Sequence, residues 1–197
     1  MNQPLTASRR NLLVGSGIGA AGLFGLAGPD LANAAPMAFV PPEHDATGVD
    51  WWLRLDGIDG ESTDREHPRQ IEVLALDWQA TQKSTSAAGA GSKDISLALA
   101  TSSASPAILK KCVQGAAVPT ATISGRKSGE GQRDFLTWDF TSLRFKSYDV
   151  AFTEGPPIDV VTFSFTQVTM TYRPQDPKGG LGTPVVVTWN VKTDKVS

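Results

Sequence analysis

A single cysteine, Cys112, and two histidines, His44 and His67, in a chain of 197 residues set the first limits. One thiol forms no intrachain disulfide, so stability has to come from packing or from association. Neither histidine lies in ligand spacing with another, which excludes a standard structural zinc site. The GxSxG, HExxH and Walker patterns are absent as well. Two stretches that look like phosphate cradles, GAGSK at 89–93 and GRKSG at 125–129, lack the spacing and the following helix, and read as turns. The formal net charge is only −2, which gives no electrostatic reason to expect nucleic acid or an anionic membrane as partner.

What is there begins with a segment unlike the rest. Arg9 and Arg10 precede a weakly apolar run from Leu12 to Ala27, and Ala32-Asn33-Ala34 forms a small-residue cleavage site that makes Ala35 the new N-terminus. The run is short and glycine-rich against the ~20 apolar residues of a membrane span, so no stable membrane insertion is expected after cleavage. Ser8-Arg9-Arg10-Asn11-Leu12-Leu13 resembles a twin-arginine signal, with Val14 where a lysine is usual, and implies export of a folded protein. An ordinary secretory signal, an uncleaved anchor, and translation starting at Met37 in the cytoplasm are the other readings. The expected division is a signal at 1–34, a flexible Pro-rich lead-in at 35–48, and one domain at 49–197. Losing two arginines and one aspartate with the signal takes the net charge to −3. A domain of this size buries roughly 70% of the surface of its unfolded chain, enough for a real core.

The domain is mainly β. Runs rich in β-branched and aromatic residues alternate with period two at 49–57, 70–80, 93–102, 118–127, 135–152, 160–173 and 184–193. Val185, Val187, Trp189 and Val191 make one apolar face. Two runs change phase, near Thr141-Ser142 and Thr166-Gln167, which means either a bulge or a strand passing between sheets and suits a closed barrel. One helix is expected, with Ser105 as N-cap, Pro106 next, Gly115 as its stop, and Ile108, Leu109, Cys112 and Val113 as a buried stripe. Cys112 is therefore expected to be a structural thiol.

The polar features are modest. Asp56, Asp59, Glu61 and Asp64 do not follow the spacing of a calcium loop and read as a solvated, mutually repelling acidic turn. A catalytic pairing of His67 with Asp64 and a serine has nothing to fix its geometry. Trp51, Trp52, Trp78, Trp138 and Trp189 sit at strand period and read as packing residues. The loop 83–93, KSTSAAGAGSK, has either a contact role or plain flexibility.

LRLDGIDGESTD at 53–64, IEVLALDWQ at 71–79, ASPAILKKCVQG at 104–115 and YRPQDPKGGLGTPVVVTWNVKTDK at 172–195 resemble the haemolysin-coregulated protein family, Hcp, the tube protein of type VI secretion. The resemblance implies a small β-barrel of two antiparallel sheets with one flanking α-helix. It also implies a homo-hexameric ring, rings stacked into a tube, small protein effectors in the lumen, and spike and sheath components as further partners. No cofactor, metal or catalysis belongs to the plain domain. By position, Ser84, Thr85, Ser86, Ala87, Ala88, Gly89, Ala90 and Gly91 fall in the family's extended loop, which reaches a neighbouring subunit or ring. Lys110 and Lys111 would face the lumen or a neighbour. A leading signal is not usual in this family. The resulting expectation is a self-assembling structural subunit; an exported non-enzymatic binding module is the alternative, and a hydrolase using His67 the third.

Overall fold

Period-two alternation becomes nine strands among the described residues of the computed structural model, which are 48–80, 94–127, 133–152, 155–176 and 180–197. Arg9, Arg10, Ala32 and Ala34 of the expected signal, the lead-in up to residue 47, and Ser84 to Gly91 lie outside them. In chain order the elements are β1 (Val49–Leu55), β2 (Ile71–Asp77), β3 (Ile95–Ala100), α1 (Ser105–Gln114), β4 (Val118–Lys127), β5 (Asp134–Ala151), β6 (Ile158–Ser164), β7 (Gln167–Tyr172), β8 (Val185–Asn190) and β9 (Lys195–Val196). All pairings are antiparallel.

The order β4-β1-β2-β3-β6-β5, with β5 also paired to β4, closes a barrel; β7, β8 and β9 continue outward from β5. The long strand β5 makes this geometry. Its first half pairs with β4 and β7, and its second half, from Arg144 onward, pairs with β6. Ser142, at the phase change, has a φ of 52°, a backbone value that few non-glycine residues adopt. The change near Thr166 is likewise a passage between sheets: the expected single strand at 160–173 is two, β6 beside β3 and β7 on the other half of β5. The two-residue β9, which follows a turn after β8, had no alternation long enough to show in the sequence.

The core fills from both layers. Leu53, Ile71, Ile95, Leu97, Leu99, Ile123, Leu143 and Val161 are fully enclosed, and Phe140 sits between Phe163 and Phe165 with ring centres 5.5 and 5.0 Å away. Gly125 is needed on β4 because a Cβ there would run into the Trp51 ring.

Helix α1 departs from its expected cap and stripe. Ala104 holds the cap position in a helical conformation, and Ser105 is the first helical residue. The Ser105 hydroxyl instead accepts the Ser102 N–H at 3.0 Å and donates to Asp159. Only part of the stripe is covered: Ile108 enters the core and Cys112 packs against it, whereas Leu109 is exposed and Val113 is 79% exposed. The helix rests against β5 along a narrow line, too narrow to cover four apolar residues.

Candidate functional site

Three successive rungs cross the core-facing side of the sheet from β1 through β4, β5 and β7 to β8. They are Leu55-Ala121-Phe140-Val168-Trp189, Leu53-Ile123-Trp138-Met170-Val187 and Trp51-Gly125-Leu136-Tyr172-Val185. Exposure rises at the β8 end of each rung, and most in the third. Leu53 and Ile123 are wholly buried, while Val187 is 41% and Val185 66% exposed. The opposite layer, made of β2, β3, β6 and the second half of β5, accounts for the gradient, because it covers the first rung, Val168 included, and ends before the β8 ends of the second and third. The face Val185-Val187-Trp189-Val191 therefore exists as the alternation indicated, but only Trp189 and Val191 pack on the core.

On the other side of β8, Val186 is also exposed. Thr188 exchanges two backbone hydrogen bonds with Ser197, and β9 pairs only with Trp189 and Asn190. In an antiparallel ladder alternate residues bond to the same side, so the Val186 main chain faces the outer edge, where no described strand lies beside it. An apolar strand exposed on both faces with an open edge is a surface built to be covered.

A second cluster occupies the loop between β1 and β2. The loop is folded on itself by Gly60 N–H to Arg69 O, Arg69 N–H to Ser62 O and Ser62 N–H to Gln70 O, at 2.8 to 2.9 Å. This places the His67 ring parallel to Trp52, 4.0 Å between centres, at 3% exposure. The Arg126 guanidinium lies 4.5 Å from the centre of the same indole and holds Asp64 through both nitrogens. Asp64 also accepts the N–H groups of Glu66 and His67. The Arg126 hydrogen bond, with help from those two N–H groups, holds the Asp64 carboxyl down at about 2, and Asp64 in turn raises Arg126.

The acidic turn is thus not mutually repelling: Asp64 pairs with Arg126, Asp59 with Arg69, and Glu61 accepts the Ser103 N–H. The hydrolase arrangement is not assembled among the described residues. His67 Nε2 bonds Asp134 at 2.9 Å rather than Asp64, and its buried Nδ1 has no hydrogen-bond partner among the described residues. Sequence reasoning missed Asp134, which lies far along the chain, and missed the buried Asp159 too. Thr101 and Tyr148 each donate to Asp159 at 3.0 Å and Ser105 donates as well, which ties α1 to β5 and β6. Burial, then the Asp159 bond, pushes the Tyr148 hydroxyl up.

Lys110 is exposed and Lys111 half-buried on α1. No helix among the described residues is long and apolar enough to cross a membrane, and no group of three metal-ligating side chains occurs among them.

Comparison with known proteins addresses the fold and the class of system together. The protein hcp1 of Pseudomonas aeruginosa is 28% identical over 155 residues, which are 73% of this chain and 96% of that protein. The crystal structure of Hcp1 from Salmonella typhimurium superposes with a TM-score of 0.64 at 27% identity, covering 76% of this chain and 99% of the other. A type VI secretion system effector from Yersinia pestis gives 0.60 at 29% identity, covering 72% and 99%. The family described as "Type VI secretion system effector, Hcp" matches residues 52–172, more than half of the chain, and the chain belongs to that family.

Proposed function

We propose that the chain is a structural, non-catalytic tube subunit of a type VI secretion system. Six copies close into a ring, rings stack, and the lumen accommodates small effector proteins, with spike and sheath components as outside partners. The observation that carries this reading is β8, apolar on both faces and, among the described residues, open along the Val186 edge. Burying such an edge on a neighbour removes an aggregation hazard, and cyclic symmetry does so for every copy at once. The loop Ser84–Gly91 reaches a neighbouring subunit or ring, and residues 1–34, through Arg9-Arg10 and the Ala32-Asn33-Ala34 site, direct export of the folded domain at 49–197 with its lead-in at 35–48.

Native mass spectrometry on protein from the cytoplasm and from outside it tests the reading. A species six times the mass of a chain starting at Ala35, found outside, is the expected result. A hexamer starting at Met37 in the cytoplasm would keep the tube role and remove the signal. A monomer at every concentration would favour an exported binding module instead. Deleting Ser84 to Gly91 is expected to leave a folded monomer that no longer stacks; unchanged assembly would remove the loop from the contact.

A further inference from the structure

The exposed large apolar side chains of the described residues fall into two groups. One surrounds β8: Val185, Val186 and Val187 on the strand, Tyr172 opposite Val185 on β7, and Val196 opposite Trp189 on β9. The other lies at α1, with Leu109 and Val113 one turn apart on the helix and Val150 and Phe152 at the end of β5. Val150 stands opposite Asp159, which accepts the Ser105 hydroxyl, so the end of β5 lies beside the first turn of α1. At the other end of the helix the Arg144 guanidinium donates to the Gly115 carbonyl, which holds α1 along β5.

The α1 group does nothing for its own fold. A β-branched valine is a weaker helix former than Lys, Gln or Glu, and Val113 gains little burial within the chain in return. Phe152, at 87% exposure, likewise leaves a whole ring in water. Apolar side chains kept at such positions mark a surface that another molecule covers.

Area and charge indicate what that molecule is. The exposed fractions leave on the order of 400 Å² of mainly apolar surface in each group. A standard interface buries about 800 Å² per partner, a little over half of it apolar, so each group matches the apolar share of one side. Strands β7 and β8 carry no charged residue, and the charges of α1 are Lys110 and Lys111, whose long stems keep their ends in water beside an apolar contact. Neither group therefore forces a charge into the other. A two-fold contact would set β8 against itself and leave the α1 group bare on both copies. A ring contact is heterologous: it uses two different surfaces of each copy once, and so covers both groups.

We infer, resting on the ring assembly proposed above, that β8 of one copy, through Val185 and Val187, docks on Leu109, Val113 and the end of β5 of the next copy. The occupant of each apolar group is the other group on a second copy of this chain.

The test is charge rescue in the full chain, read as the protein concentration of the ring-to-monomer transition in sedimentation. Val113→Lys and Val187→Asp are each expected to move that transition more than about a hundredfold higher, because each buries an unpaired charge. Combined in one chain they are expected to recover at least about tenfold over the worse single variant, since the two new charges meet across the contact; Val113→Glu with Val187→Asp should show no recovery. Urea unfolding checks that each monomer remains folded, and Val185→Asp repeats the pairing at a more exposed position of β8. Rings that form unchanged with Val113→Lys, or a double variant no better than the worse single one, would overturn the α1 contact and leave the ring standing. A parent chain that is monomeric at every concentration would remove the ring and this contact together.

Discussion

Phe140 and Val187 point to the same side of one sheet, two strands apart, yet one is enclosed by Phe163 and Phe165 and the other is 41% exposed. The closed half of the molecule and the β7–β8 extension share the same alternation of side chains. They differ in what lies across from them: the second layer covers β1, β4, the middle of β5 and Val168 of β7, and leaves Tyr172, Val185 and Val187 exposed. Alternation fixes which side chains share a face, whereas burial depends on a second layer, which the described residues supply over one half and not over the ends of β7 and β8 in the other.

The strongest way to break the comparison is Phe140→Ala. Removing the ring from a buried site flanked by Phe163 and Phe165 is expected to cost about 3–5 kcal/mol. Urea unfolding of the monomer measures it, with the midpoint lowered and the slope unchanged. A loss below about 1 kcal/mol would mean that the closed half is as loosely packed as the extension.

The same contrast explains how far the sequence could be read. The strands, the helix with its Gly115 stop, and both phase changes were legible because each rests on local periodicity. Splitting 160–173 into two strands was within the alternatives that a phase change allows. The exposure of Leu109, Val113, Val185 and Val187 was not legible, since an apolar stripe reads the same whether its cover is its own fold or a neighbour. Nor were His67–Asp134 and Ser105–Asp159, which join residues 67 and 54 apart and carry no spacing signal. Asp64 was noticed for its charge and misread, because its partner Arg126 arrives on a strand from the other side of the helix.

Asp64 sharpens the comparison on the outer face of the closed half. Its carboxyl is held at about 2, below the ordinary ~3.9 of an unfolded chain. A depressed carboxylate contributes stability that is fully present above the unfolded value and is lost as pH falls through the folded one. Asp64→Asn is therefore expected to cost about 2 kcal/mol near neutral pH. That difference from the parent should shrink between about pH 4 and pH 2 and vanish below. Unfolding curves at fixed pH values read both parts, and a penalty independent of pH would assign the loss to packing on Trp52 rather than to the Arg126 pair.

Val187→Thr is the smallest change and the most discriminating, because it alters one side chain on the bare half without altering its shape. A hydroxyl on an exposed strand position keeps the β-branched backbone preference and stays hydrated, so monomer stability is expected to move by no more than about 0.5 kcal/mol. Once a neighbour covers β8, the same hydroxyl has to be desolvated without a partner, which costs about 1–3 kcal/mol. In the proposed ring six such contacts would multiply that penalty, so sedimentation should show the ring-to-monomer transition moving to higher protein concentration while monomer unfolding is unchanged. If stability and assembly both stay as they were, Val187 remains in water in the assembled state, and the covering surface narrows to the Val186 edge.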